Sequence, residues 1–354
     1  MDATIDIPGL GSGEFAERAR ISIGPGSGLA PALYRQLWET GRFEPELLGA
    51  SSASARQWRG QFDAGLLDVV RVDEEEGEFG PTSKALLSTR DGLRIECVHI
   101  PMPVREGRPV KSTLCVSSQA GCRMGCAFCE TGRGGLARNL EAAEIVSQLL
   151  TTRTRLGWRP GNIVFMGMGE PLDNLPNVVQ ALHIFNDPRG PAIGWERMTL
   201  CTCAPPDGIP SLAALAPKRL NLSVSLNAGT DRTRSAIMPV NRRAGLSELR
   251  EALAAYPRRR NFVLAANYCL IPGINNGDQE ARGVADFCAS VGRVLVNLIP
   301  YNPGSRPLAA PPTGEEIERF EARLLAYGCD VRRRARKGGA IMAACGQLGA
   351  AAGS

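Results

Sequence analysis

Three cysteines, Cys122, Cys126 and Cys129, are spaced CxxxCxxC inside the stretch CVSSQAGCRMGCAFC that runs from Cys115 to Cys129. A closed structural zinc site, or a ferredoxin-type 4Fe-4S centre, takes four protein ligands. Three thiolates on one short loop supply one fewer, so a 4Fe-4S cluster held there keeps an iron open. That iron suits the amino and carboxylate groups of S-adenosylmethionine, whose sulfonium bond an electron from the cluster can break to give a carbon radical; the protein's part is to orient the cofactor. The plainer alternatives are three buried cysteines or a zinc loop completed from elsewhere. Gly121 and Gly125, which loosen the loop, and Phe128 just before the last cysteine weigh for the cluster.

Further along, Gly167-Met-Gly-Glu-Pro171 could bring backbone and the Glu170 carboxylate close to a cationic ammonium, or be a turn and nothing more. Ser225-Leu226-Asn227, Asn297 and Asn302 stand where strands are expected to end, positioned to hydrogen-bond a ribose or an adenine, or to cap a helix. Cys345 lies in a Gly-flanked C-terminal segment, and its local sequence alone favours an inert thiol over a reactive one.

These residues need a scaffold, and the hydrophobic pattern describes one. Short β-branched runs near 112–117, 162–167, 197–202, 220–226, 262–270 and 294–300 alternate with helical stretches, including 140–154. Such alternation implies right-handed βαβ units and a parallel sheet. The expected fold is α/β: a partial (β/α)6 barrel, with the motifs above at the C-terminal ends of its strands. Ahead of it, residues 1–83 read as a small helical domain, helical around 30–48 and 53–67, suited to contacting RNA and preceded by a loose Gly-, Ser- and Pro-rich leader up to about residue 25. The acidic run Asp73–Glu78 reads as a solvated turn. Residues 84–110 read as a β-hairpin across Asp91-Gly92 and a linker, and 111–354 as the catalytic domain.

Composition limits the function classes. The chain has 354 residues, 44% of them hydrophobic and 5% aromatic, which suits one large domain with a smaller one. No apolar run approaches a membrane span and no charged-then-apolar leader is present, so a cytoplasmic protein without membrane association is expected. Eleven cysteines, an odd number, argue against a secreted disulfide framework. A net charge of +5 is too mild to prove a nucleic-acid partner. The clusters Arg242-Arg243, Arg258–Arg260 and Arg332–Lys337 could still supply phosphate contacts.

The motifs CVSSQAGCRMGCAFCETG, NIVFMGMGEPLDN, SVSLNAGTDRTRSAIMPVN, NLIPYNP and AACGQL occur in an order that resembles the RlmN/Cfr family of radical-SAM RNA methyltransferases, from about Glu96 to Leu348. The resemblance implies a 4Fe-4S cluster on Cys122, Cys126 and Cys129, with S-adenosylmethionine against Gly169, Glu170, Cys201, Ser225, Leu226, Asn227 and Asn302. It implies that Cys345 takes a methyl group from one S-adenosylmethionine and that a second, cleaved to a radical, activates that methyl for addition to a ring carbon of adenine. Cys115 would release the product through a transient disulfide with Cys345, and Glu96 matches the proton acceptor. The implied product is an adenosine methylated at carbon 2 in 23S rRNA, with tRNA as a further candidate. The implied partners are RNA and an electron donor such as flavodoxin, and the implied state is a monomer. The rivals are carbon 8 methylation, as in the antibiotic-resistance branch, and a cluster-bearing RNA-binding protein without turnover. Four positions depart from the family pattern: Cys201 for Ser, Asn227 for His, Asn267 for Glu, and Ala340 for an acidic residue.

Overall fold

The computed structural model describes residues 4–103, 112–205, 207–217 and 219–349; most of the expected 101–110 linker lies outside them. The chain opens with β1 (Ile5–Asp6), α1 (Ser12–Ser22), α2 (Ala30–Thr40), α3 (Ser52–Gln61) and β2 (Phe62–Asp63), which pairs in parallel with β1. The expected loose leader is instead packed structure. Ile7, Phe15 and Ala19 are fully buried, and the rings of Phe15 and Phe62 meet edge-on at 5.1 Å. The Gly and Pro residues that suggested a leader punctuate short 3-10 turns around an apolar helix face.

Next come β3 (Asp68–Glu75), β4 (Thr82–Ser88) and β5 (Arg94–Pro101), three antiparallel strands with the expected hairpin between β4 and β5. Asp73, Glu74 and Glu75 therefore belong to a strand, not a turn. β3 is an exposed edge strand, and carboxylates there keep it from pairing with other chains.

The remainder alternates strand and helix: β6 (Ser112–Cys115), β7 (Gln119–Gly121), α4 (Glu130–Arg133), β8 (Leu136–Asn139), α5 (Ala142–Arg155), β9 (Asn162–Phe165), α6 (Leu175–Asn186), β10 (Met198–Thr202), α7 (Gly208–Leu215), β11 (Asn221–Ser225), α8 (Asp231–Ile237), α9 (Leu246–Ala255), β12 (Leu264–Leu270), α10 (Asp278–Val291), β13 (Val294–Pro300), α11 (Gly314–Ala326) and β14 (Asp330–Arg333). The main sheet has the order β14-β13-β12-β11-β10-β9-β6-β5-β4-β3, parallel from β14 to β6 and antiparallel beyond. All six expected parallel strands are present. β14 adds a seventh, hidden in the sequence because its residues DVRR carry almost no apolar pattern.

Within each parallel strand, side chains alternate between two environments, as the period of two requires. Leu114, Ile163, Leu200, Val224, Ala266 and Val296 are completely buried on the helix-facing side. Their neighbours Cys115, Val164, Thr199, Ser223, Asn267 and Asn297 line one cavity of about 410 Å³. Six consecutive strands facing a single cavity means that the sheet is curled into an open barrel. Each helix-facing Leu, Ile or Val contributes about 1.5–3 kcal/mol by leaving water. Among the described residues, no helix is long and apolar enough to cross a membrane.

Candidate active site at the strand ends

The cysteine loop is held at its root by β7 and β8, which pair antiparallel. Gly121 has φ 87°, and a Cβ there would stand 2.1 Å from the Gly135 carbonyl oxygen, so no larger residue fits. Further backbone bonds fix the loop: Cys122 N–H to Gly135 O at 2.7 Å, Cys129 N–H to Cys126 O at 3.1 Å, and Ala127 N–H to Ile237 O at 2.9 Å. Met124, Cys126 and Phe128 pack with Ile237, Met238, Ile271 and Tyr301 in an apolar pocket separate from the main core.

Burial pushes the Cys122 thiol up to about 12, with the charges of Glu170 and Cys129 adding to the rise. Cys126 is raised chiefly by burial and then by Cys129 and Cys122, so the three sulfurs lie within electrostatic reach of one another. Among the described residues, no three His, Cys, Asp or Glu side chains converge closely enough to hold a single metal ion. In a four-iron cluster each cysteine would bind a different iron, so the three sulfurs need not meet at one point.

Beside this loop, Gly167 and Gly169 press directly on β6 and β7. A Cβ on Gly167 would meet the Val116 carbonyl at 2.6 Å, and one on Gly169, where φ is 102°, would meet Gln119 at 2.6 Å. Glu170 is buried, and its carboxylate accepts from Thr202 Oγ1 (2.6 Å), Cys203 N–H (2.8 Å) and Leu172 N–H (3.0 Å). Three donors thus already hold the carboxylate inside the protein, and the Cys203 thiol is hydrogen-bonded to it as well.

Strand register gathers the other candidates. Cys201 pairs with Ser223, Ser225 pairs with Asn267, and Asn267 pairs with Asn297. Asn267 Nδ2 donates to Cys201 Sγ at 3.1 Å, Asn297 Nδ2 donates to Asn267 Oδ1 at 3.0 Å, and Ser225 Oγ lies 3.7 Å from Cys201 Sγ. Burial pushes the Cys201 thiol up to about 11, against the bond from Ser225. Asn227 has φ 58°; its Oδ1 accepts from Cys269 N–H at 2.8 Å and its Nδ2 points at Met238 Sδ at 3.3 Å. Leu226 and Asn227 both donate backbone N–H to Asn267 O. Three of the four departures from the family pattern are therefore neighbours. The fourth, Ala340, donates its N–H to the Glu75 carboxylate at 2.5 Å, so β3 brings an acid beside a segment that lacks its own.

Cys345 lies next to this site although it is far away in sequence. Glu130 N–H donates to Gly346 O at 2.8 Å, and Thr131 Oγ1 donates to Leu348 O, tying the Cys345 loop to α4 directly after Cys129. Asn302 Nδ2 donates to Cys345 O at 3.4 Å, and Gln347 Nε2 to Pro303 O at 2.9 Å. Asn302 Oδ1 is buried with no hydrogen-bond partner among the described residues. Cys345 and Cys115 line the same cavity and are both free thiols. Cys345 is open to water there, yet crowding by protein raises its pKa; Arg334 opposes the rise. Burial raises the Cys115 thiol well above the usual range, and Cys345 is the next largest influence. Glu96 is buried beside the cavity and is not among the residues that line it: its Oε1 is 3.1 Å from Lys84 Nζ, and its Oε2 accepts from Gly349 N–H at 2.8 Å.

Residues 116–285 match the model of the radical SAM superfamily. The chain is 43% identical over 270 residues to a probable dual-specificity RNA methyltransferase RlmN of Protochlamydia amoebophila, covering 76% of this chain and 74% of that protein. It is 44% identical over 276 residues to the corresponding protein of Moorella thermoacetica, covering 76% of each. A crystal structure of a radical SAM methyltransferase from Sphaerobacter thermophilus superposes with a TM-score of 0.85 at 32% identity, over 97% of this chain and 98% of that one. The chain belongs to the RlmN family of radical SAM RNA methyltransferases.

In this RlmN-family chain the structure adds residues that the sequence motifs did not single out. Lys84, on the hairpin, forms the buried ion pair with Glu96 and donates to Met342 O at 3.4 Å. Together Lys84 and Glu96 clasp the Cys345 loop at Met342 and at Gly349, on both sides of the thiol. A lysine at an alternate position of a strand reads as solvent-facing, so only the tertiary fold reveals it. Arg234, inside the quoted motif SVSLNAGTDRTRSAIMPVN, is buried beneath the strand ends.

Proposed function

We propose that this protein methylates a ring carbon of an adenosine in RNA, carbon 2 in 23S rRNA with tRNA as a second substrate, through a methylated Cys345. The observation that carries this reading is that Cys345 and Cys115 open on one cavity while the Cys345 loop is hydrogen-bonded to α4, directly behind the cysteine triplet. The relatives' names, dual-specificity RNA methyltransferases, support the substrate class. The rim of the cavity agrees with it: Arg332, Arg334, Arg336 and Lys337 line it and suit phosphate contacts.

When bound, a 4Fe-4S cluster on Cys122, Cys126 and Cys129, with S-adenosylmethionine against Gly169, Glu170, Cys201, Ser225, Leu226, Asn227 and Asn302, supplies a methyl group and a carbon-centred radical. The chain's own residues do the rest. The Cys345 sulfur would take the methyl carbon by nucleophilic displacement, with S-adenosylhomocysteine as the leaving group, and lose its proton to solvent. Adenine carbon 2 is too electron-poor to attack a methyl cation equivalent, so a carbon carried on the Cys345 sulfur must be delivered to it. Glu96 is the carboxylate that accepts the ring proton, held beside the loop by Lys84. Cys115 gives up its proton and attacks the Cys345 sulfur; a disulfide forms as the carbon–sulfur bond breaks, and the electron pair left on carbon takes up a proton to complete the methyl group on the base. We read the working unit as a monomer that takes its electrons from a donor such as flavodoxin.

The test is mass spectrometry of digested rRNA and tRNA from cells with and without the gene, joined to an in vitro assay of two variants. Cys345→Ala is expected to lose methyl transfer altogether, and Cys115→Ala to stall with RNA covalently attached. Methyladenosine made by Cys345→Ala, or an adenosine profile in both RNAs that ignores the gene, overturns the proposal.

A further inference from the structure

Arg234 is 1% exposed, yet among the described residues no carboxylate stands within ion-pair distance of its guanidinium. Its donors go to neutral acceptors: Nε to Leu226 O at 3.1 Å, Nη1 to Asn241 Oδ1 at 2.7 Å, and Nη2 to Cys203 O at 3.0 Å and Ser225 O at 3.2 Å. Asp231 is hydrogen-bonded to it only by way of Asn241, whose Nδ2 donates to Asp231 Oδ1 at 2.9 Å. A buried charge is costly unless something of opposite sign balances it. Cys203, Cys126 and Asp231 are the acidic groups within electrostatic reach of Arg234, and burial raises both thiols, which favours their uncharged form. Of these, Cys126 is a member of the cysteine triplet. Arg234 also belongs to the segment that supports the triplet's loop, since Ile237, one turn later, accepts the Ala127 N–H bond.

We propose that Arg234 is the built-in counter-charge for the iron–sulfur cluster, a positioning residue that makes the cluster easier to reduce. A cluster on three thiolates brings negative charge to the place where this cation lacks a partner. Reduction adds one more electron there, and a nearby fixed positive charge in a dry pocket favours the reduced state. By holding the carbonyls of Ser225 and Leu226, the same guanidinium ties that charge to the strand end assigned to S-adenosylmethionine. The inference rests on the reading that Cys122, Cys126 and Cys129 carry a four-iron cluster.

The experiment is an anaerobic redox titration, followed by electron paramagnetic resonance, of the full-length chain with its cluster reconstituted. Arg234→Gln is expected to lower the equilibrium constant for reduction on the order of tenfold, the size of one charge removed at intermediate dielectric. Arg234→Lys, which keeps the charge but not the fork of donors, is expected to stay near the wild type. If Arg234→Gln does not fold, Asn241→Asp provides the second route: a carboxylate against Nη1 neutralises the guanidinium and is expected to lower the reduction constant likewise, whereas Asn241→Ala is not. An unchanged potential in the neutralising variants, or an equal drop in Arg234→Lys, overturns the proposal. Absence of a four-iron signal in the wild-type chain would instead remove the reading on which it rests.

Discussion

The two halves of this site are built in different ways. The cysteine loop is fixed by local backbone: paired strands at its root, three short backbone bonds, and a glycine whose Cβ would collide with a carbonyl. The Cys345 loop has no strand or helix of its own among the described residues, and it is held chiefly by side chains, the remote Lys84, Glu96, Thr131 and Asn302 and its own Gln347, with one long-range backbone bond from Glu130 N–H to Gly346 O. The contrast matches what each must do under the proposed function. Cluster ligands stay still through every turnover, whereas Cys345 must meet a methyl donor, a base and Cys115 in turn. Side-chain clasps can open singly, and backbone ladders cannot.

Breaking the buried clasp should have the largest effect. Lys84→Met leaves Glu96 buried without the cation now 3.1 Å away, with both side chains 5% exposed. Loss of one partner of a buried pair costs about 3–5 kcal/mol. Urea denaturation should register that loss, and hydrogen exchange should rise at 338–349 while the cysteine loop keeps its protection. Adding Glu96→Gln should recover part of the stability, because it removes the charge that Lys84 balanced. Equal loosening of both loops in Lys84→Met would erase the distinction drawn between them.

The opposite substitution is Gly121→Ala. Its φ of 87° and the Gly135 oxygen 2.1 Å from any Cβ force the strand pair β7–β8 apart. The left-handed backbone alone costs about 1–2 kcal/mol for an alanine. The expected outcome is lower iron content after reconstitution, with Cys345 as accessible to alkylation as before. Full iron loading in Gly121→Ala would mean that the loop is less rigidly set than its bonds suggest.

The same contrast explains what the sequence revealed. The cysteine loop, the GMGEP turn and the six parallel strands are local patterns, carried by spacing, glycine and period-two alternation, and each was readable along the chain. The parts that escaped depend on contacts remote in sequence. Lys84 meets Met342 across 258 positions. The N-terminal Gly and Pro residues read as a leader until Phe15 and Ile7 are seen buried, and Glu75 reads as part of a solvated turn until its strand brings it to Ala340. Glu170 shows the limit in another way. Its motif suggested a ligand for an ammonium, but three internal donors already hold its carboxylate, and no spacing rule counts donors.

The smallest expected effect concerns Cys345 chemistry rather than its anchoring. Its thiol sits above the ordinary cysteine value first because surrounding protein crowds the sulfur, although the residue is exposed, with Arg334 pulling the other way and Cys129 adding to the rise. A raised thiol pKa means that the thiolate, the nucleophilic form, is scarce at neutral pH and grows as pH increases. Arg334→Gln removes the opposing charge, so the pKa climbs further and the pH at which alkylation becomes fast moves up with it. At any pH below that limb, alkylation of Cys345 by iodoacetamide in the cluster-free protein should slow severalfold, within about tenfold for a shift of one unit. Peptide-level mass spectrometry separates Cys345 from the other thiols. Slowing at Cys345 with no change at Cys122 or Cys126 would place the influence of Arg334 on the mobile half of the site alone; equal slowing at all three would show that it acts on the barrel mouth as a whole.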